Sequence, residues 1–147
     1  MYTYKLIRRG DYTDAHRIRI KVFVEEQGFV QEIDGLDDEA WHLVIYDGAA
    51  PIATARAFLD DAGVCKIGRV AVMPAYRGQH LGERLMCRLE DEMQKLGAKQ
   101  FQVSAQVRAA GFYEKLGYVR RGKEYLDEYC PHVDMYKSGS SDKRQAE

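Results

Sequence analysis

Residues 70–86, VAVMPAYRGQHLGERLM, join an apolar β-branched run to an amphipathic one through a turn that carries an arginine and two glycines. The first turn of any helix leaves N–H groups without intrahelical partners, and the macrodipole adds partial positive charge there. Gly78 and Gly82 remove side chains that would keep a ligand off the backbone, and Arg77 adds a fixed positive charge. A helix start built this way can bind a phosphate or pyrophosphate. It can equally be a plain strand-to-helix connection, because paired glycines are common in such turns. The segment lacks the Gly-Lys-Ser/Thr ending of a P-loop. Arg77-Gly78-Gln79-His80-Leu81-Gly82 does not fit G-x-G-x-x-G either.

Other side chains here could move protons or act as nucleophiles. Glu26, His42 and His132 are candidate bases, and a histidine titrates near neutrality. Each also has a plain structural reading, and Glu25 with Glu26 can be a solvated helix end. Cys65, Cys87 and Cys130 are odd in number and widely spaced, with no CxxC pair. That spacing argues against a zinc site and fits reduced thiols in a cytoplasmic protein. No cysteine shows an adjacent histidine–acid pair, so a covalent acyl route is the weaker alternative, with Cys130 and His132 its nearest approach.

The elements that must position these groups follow from periodicity. TYKLIRR at 3–9 reads as a strand. The next stretch reads as a helix capped by Asp11 or Thr13, with Ala15, Ile18 and Val22 on one face and Gly28 as its stop. The acidic stretch 29–40 reads as a solvated loop with a short helical turn. Two strands follow around a turn at Asp47-Gly48, then a β-branched strand up to Met73. Leu81, Leu85, Leu89, Met93 and Leu96 form a helical stripe, with Glu90 placed off it. KQFQVSA is a strand, VRAAGFYEKLG a short helix, and two closing strands end near residue 137. The order β-α-β-β-β-α-β-α-β-β predicts an α/β fold, a mixed central sheet flanked by helices.

The 147 residues suit one domain, residues 1–137, followed by a polar, disordered tail, 138–147. A net charge of −1 gives no global field toward nucleic acid or an acidic membrane. The N-terminus lacks the apolar core of a secretory signal, and no run approaches the length of a membrane span.

VAVMPAYRGQHLGERLM resembles the acetyl-CoA signature of the GNAT N-acetyltransferases: Arg or Gln, two residues, Gly or Ala, one residue, Gly or Ala. Arg77 takes the first position and Gly82 the last. His80 stands where glycine is usual, so a glycine-only backbone angle is not expected there. AGFYEKLGYVRRG at 110–122 resembles the family's later motif, a helix with Phe-Tyr that ends in Gly-Phe/Tyr. VFVEEQG at 22–28 and CPHVDMYK at 130–137 are similar to a branch of small bacterial acyltransferases, with Tyr129 and Cys130 in place of its Gly-Ile pair.

The resemblance implies a mixed sheet whose two central parallel strands splay apart to admit the cofactor. Val70, Ala71 and Val72 would then offer backbone groups to the pantetheine of acetyl-CoA. Gln79, His80, Leu81, Gly82 and Glu83, after Arg77 and Gly78, would offer N–H groups to its pyrophosphate. It implies direct attack of a primary amine, from a small molecule or a protein, on the thioester, with no metal. Tyr113 matches the family tyrosine that meets the departing thiolate; Glu26 or His132 would be the base. Homodimers occur among relatives. A coenzyme A-binding sensor without turnover is the alternative, with His80 its main support, and a ligand-free structural domain is weaker still.

Overall fold

The computed structural model describes residues 2–29, 35–127 and 129–139. Its strands hydrogen-bond in the order β1-β2-β3-β4-β5-β7-β6, a mixed seven-stranded sheet. They are β1 (Tyr2–Ile7), β2 (Trp41–Asp47), β3 (Ala50–Leu59), β4 (Val64–Val72), β5 (Gln100–Gln106), β6 (Val119–Asp127) and β7 (Cys130–Ser138). The helices are α1 (Thr13–Arg19), continued by a π-helical segment Ile20–Glu26, then α2 (Leu81–Lys95) and α3 (Ala110–Lys115). This is the element order expected from the sequence. The chain forms two compact units. One takes the chain up to Phe58 with Arg69–Leu89; the other takes Leu59–Gly68 with the chain from Glu90 onward.

In the first unit, β1 and β3 flank β2 antiparallel, with Tyr4 opposite Ile45 and Leu43 opposite Ala55. β2 and β3 are buried almost throughout, so they read as continuous apolar runs rather than alternating ones. The hairpin turns on Gly48 and Ala49, one residue later than the Asp47-Gly48 expected. Ala15, Ile18 and Val22 pack with Val44, Tyr46 and Ala71, and Ile7, Phe23 and Met73 close the cluster. That packing fixes the end of the π-segment beside the end of β4.

The N-cap of α1 is Tyr12, without a side-chain cap, rather than the Asp11 or Thr13 expected; Asp11 Oδ1 instead accepts the Thr13 N–H at 2.9 Å and the Thr13 hydroxyl at 2.6 Å. Its α-geometry stops at Arg19. The wider turns that follow shift the register, with Gln27 N–H bonding the Val22 carbonyl at 3.1 Å. Such π segments are rare and recur at functional sites.

In the second unit, the first half of β4 pairs parallel with β5, Val64–Ile67 against Gln100–Val103. β7 pairs antiparallel with both β5 and β6. Phe101, Val103, Ala105, Val133 and Met135 alternate into the core. Met93 is fully buried as expected, but Leu96 is 44% exposed and Glu90 only 5%. The helical stripe thus ends one turn early, and Glu90 is drawn inward by two partners: Tyr118 Oη donates to it at 2.8 Å and Lys137 Nζ at 2.8 Å. β7 extends to Ser138, and the Gly139 N–H bonds the Lys99 carbonyl at 2.8 Å. The remainder of the expected tail, like residues 30–34 of the acidic stretch, lies outside the described residues.

Candidate active site

β4 carries its own break. Arg69 sits at φ +51° inside the strand, the left-handed region that L-residues avoid. A left-handed residue in a strand re-aims it, as β-bulges do. Val70, Ala71 and Val72 follow the break, and the Met73 N–H then bonds the Ile52 carbonyl at 2.8 Å.

A single 3-10 turn, Pro74–Tyr76, leads to Arg77 in extended conformation. Tyr76 Oη donates to Asp47 at 2.7 Å, which ties the turn to the end of β2. Gly78 has φ +81° with nothing within 4 Å of where a Cβ would sit, so glycine is needed there for its backbone angle rather than for space. The Gln79 side chain is held by Tyr2, whose hydroxyl donates to Oε1 at 3.1 Å.

His80 has φ +61°. The signature position that usually holds glycine therefore keeps the glycine conformation, contrary to the expectation from its side chain. Histidine is among the residues that tolerate this region better than most. The His80 carbonyl accepts the Arg84 N–H at 3.1 Å, which makes His80 the last residue before the helix. The N–H groups of Leu81, Gly82 and Glu83 then fall in the first turn of α2, where no intrahelical acceptor exists. The His80 side chain is 78% exposed, with Nδ1 3.2 Å from Glu83 Oε1.

Arg77 is committed elsewhere than expected. Its Nε donates to the Val72 carbonyl at 3.1 Å, and its two terminal nitrogens donate to Glu26 at 2.5 and 2.7 Å. Glu26 has both oxygens in this fork, which fits the planar geometry of a guanidinium–carboxylate pair. The Val72 carbonyl keeps one lone pair.

The second unit holds the remaining candidates. Tyr113 is 7% exposed, packed edge-on against Tyr118 at 5.8 Å and Phe112 at 5.0 Å. Burial pushes its phenol above the ordinary range, so it stays protonated at any working pH. Its hydroxyl has no hydrogen-bond partner among the described residues. His132 is 6% exposed. Its Nδ1 donates to the Cys130 carbonyl at 2.7 Å, which leaves Nε2 outside that hydrogen bond.

His42 is fully buried. Its Nε2 bonds the Asp37 carbonyl at 2.9 Å and burial lowers its pKa, a structural role. Burial pushes the Cys65 thiol up to about 12, which removes it as a nucleophile at neutral pH.

One cluster was not legible in the sequence. Asp37, expected in a solvated loop, is 6% exposed. It accepts from Arg19 at 2.9 Å and Arg56 at 3.1 Å, and lies 2.6 Å from His16 Nε2. Burial opposes its ionisation, but these hydrogen bonds outweigh burial and hold it at about 2. Partners that come from α1, β2 and β3 leave no local signal in the sequence.

The mixed seven-stranded sheet flanked by helices is an acyl-CoA N-acyltransferase fold. Residues 9–138 match the family description "Acetyltransferase (GNAT) domain", and the chain belongs to the GNAT acetyltransferases. It is 39% identical to an uncharacterised N-acetyltransferase, YjcF, of Bacillus subtilis, over 84% of this chain and 90% of that one. It superposes on an acyl-CoA N-acyltransferase of Pseudomonas aeruginosa with a TM-score of 0.83 and 28% identity, over 94% of this chain and 100% of that one. For ElaA of Escherichia coli the TM-score is 0.84 and the identity 26%, over 94% and 100% of the two chains. Among the described residues, no helix is long and apolar enough to cross a membrane, and no group of three metal-ligating side chains gathers.

Proposed function

We propose that this GNAT chain is an N-acetyltransferase that moves the acetyl group of acetyl-CoA to a primary amine by direct attack. The observation that carries the reading is the left-handed pair Gly78 and His80. Together they turn the chain from β4 into α2 so that unpaired N–H groups follow a strand with free backbone valences. Those N–H groups suit the pyrophosphate of coenzyme A, and Val70–Val72 suit the two amides of its pantetheine arm, as in strand addition.

In this reading the neutral amine forms a C–N bond with the thioester carbonyl, and the tetrahedral intermediate collapses with cleavage of the C–S bond. Tyr113 meets the departing sulfur. A coenzyme A thiol titrates near about 8.5, like cysteine, so proton transfer from a phenol held above the ordinary range is uphill. The stabilisation therefore comes from an O–H donated to the sulfur. His132 takes the proton of the amine through Nε2. Glu26, in its fork with Arg77, holds the turn in place and is not the base.

Release of the coenzyme A thiol from acetyl-CoA in the presence of primary amines tests the activity, and calorimetry with acetyl-CoA tests the site. Gly82→Asp puts bulk and negative charge at the pyrophosphate and is expected to abolish binding; intact affinity in that variant would refute the assignment. Binding without turnover across a broad amine panel would point to a sensor instead.

A further inference from the structure

Between the 3-10 turn and α2 the backbone has few bonds of its own to hold it. The Tyr76 and Arg77 N–H groups close that turn on the Met73 and Pro74 carbonyls, at 2.9 and 3.3 Å, and the next such bond runs from the Arg84 N–H to the His80 carbonyl. Among the described residues, Gly78 and Gln79 make no backbone–backbone hydrogen bond. Yet Gly78 and His80 both sit at positive φ, +81° and +61°. A sparsely populated conformation persists only where its surroundings over-determine it, so side chains must set this one.

One rung of the β1–β2 ladder supplies two of them. Tyr2 stands directly opposite Asp47, and direct cross-strand partners share a face of the sheet. The Tyr2 hydroxyl donates to Gln79 Oε1 at 3.1 Å, and Asp47 Oδ2 accepts from the Tyr76 hydroxyl at 2.7 Å. The rung therefore grips the turn on both sides of Arg77-Gly78. The Arg84 guanidinium also lies over the Tyr2 ring, 5.9 Å from its centroid, within cation–π range. Tyr2 thus meets the residue before the left-handed His80 and a residue at the start of α2.

We infer that Tyr2 and Asp47 are positioning residues for the cofactor turn, which hold Gly78–His80 in its left-handed conformation before a ligand arrives. Binding then does not have to order the turn, and the affinity is higher by the cost avoided. Strand pairing places the grip, so it comes from residues about 30 and 75 positions away from the turn it serves. That the ligand is an acyl-CoA rests on the acyltransferase reading; the grip on the turn does not.

The test pairs NMR amide relaxation of the free full chain with acetyl-CoA calorimetry. Tyr2→Phe and Tyr76→Phe each delete one hydroxyl and keep the ring. Together they are expected to raise the fast mobility of the Gly78 and Gln79 amides and to weaken acetyl-CoA binding about tenfold. Asp47→Ala is expected to weaken it severalfold, and Asp47→Asn, which keeps an acceptor for Tyr76, to restore most of that loss. Tyr4→Phe deletes a hydroxyl from the same face of β1 and is expected to change neither reading. Turn amides as rigid in the double variant as in the native chain would overturn the inference, as would equal acetyl-CoA affinity in the two. A native chain that binds no acetyl-CoA would sink the acyltransferase reading instead, and loosened amides in the double variant would still uphold the grip.

Discussion

The Arg77 guanidinium holds both carboxylate oxygens of Glu26, at 2.5 and 2.7 Å, and the Val72 carbonyl at 3.1 Å. One side chain thus ties the end of the first helical segment, the end of β4 and the turn between β4 and α2. An arginine expected to contribute charge to a ligand instead fixes the backbone that would meet it.

Glu26→Gln separates a clamp from a base. Both members of the pair are about two-fifths exposed, and exposed pairs contribute at most about 1 kcal/mol. The variant is expected to raise KM for acetyl-CoA about fivefold and leave kcat within about twofold. A kcat loss of a hundredfold or more, with a changed pH profile, would return Glu26 to the base's role.

His80→Gly removes a β-carbon from a left-handed residue. That conformation costs an L-residue about 1–2 kcal/mol, partly offset by the greater chain entropy of unfolded glycine. Thermal unfolding is expected to rise by a few degrees, about 2–4 °C per kcal/mol for a chain this long, with acetyl-CoA affinity unchanged or tighter. A lower midpoint would mean that the contact of His80 with Glu83 outweighs the strain.

Tyr113→Phe keeps the ring packing against Phe112 and Tyr118 and deletes a hydroxyl with no hydrogen-bond partner among the described residues. Turnover is expected to fall by about 10²- to 10³-fold, the cost of removing one donor to a developing charge, while calorimetry shows the same acetyl-CoA affinity. Equal turnover in the two proteins would exclude Tyr113 from the chemistry.

Asp37 predicts how stability depends on acid. Its folded carboxyl titrates at about 2, below the ordinary 3.8. In that interval the unfolded chain binds the extra proton, so stability rises with pH. The contribution, on the order of 2 kcal/mol, is complete above pH 4 and is lost as pH falls toward 2. Asp37→Asn is expected to flatten that limb in denaturant melts and to cost about 3 kcal/mol at neutral pH, because Arg19 and Arg56 lose the carboxylate they share. An unchanged acid limb in the variant would show that other carboxylates govern it.

What the sequence determined by itself is what depends on neighbours along the chain. Apolar periodicity set the order of strands and helices. The glycines and the Arg77–Gly82 spacing marked the strand-to-helix turn, because unpaired helix N–H groups and left-handed angles are local properties. Tyr113 was marked only by the resemblance of the Phe-Tyr helix and its closing glycine to the later GNAT motif. Tertiary structure alone decided which charges face one another. Glu26 and Arg77 are 51 positions apart, and Asp37 draws its partners from α1, β2 and β3. The strand registers of β5, β7 and β6 bring Ser104, Tyr125, His132 and Asp134 to one face. The backbone angle at His80 belongs to the same class, since its side chain argued against the conformation that the turn between β4 and α2 imposes. A carboxylate reads the same in sequence whether it is solvated or clamped; only the guanidinium that folding places against it tells the two apart.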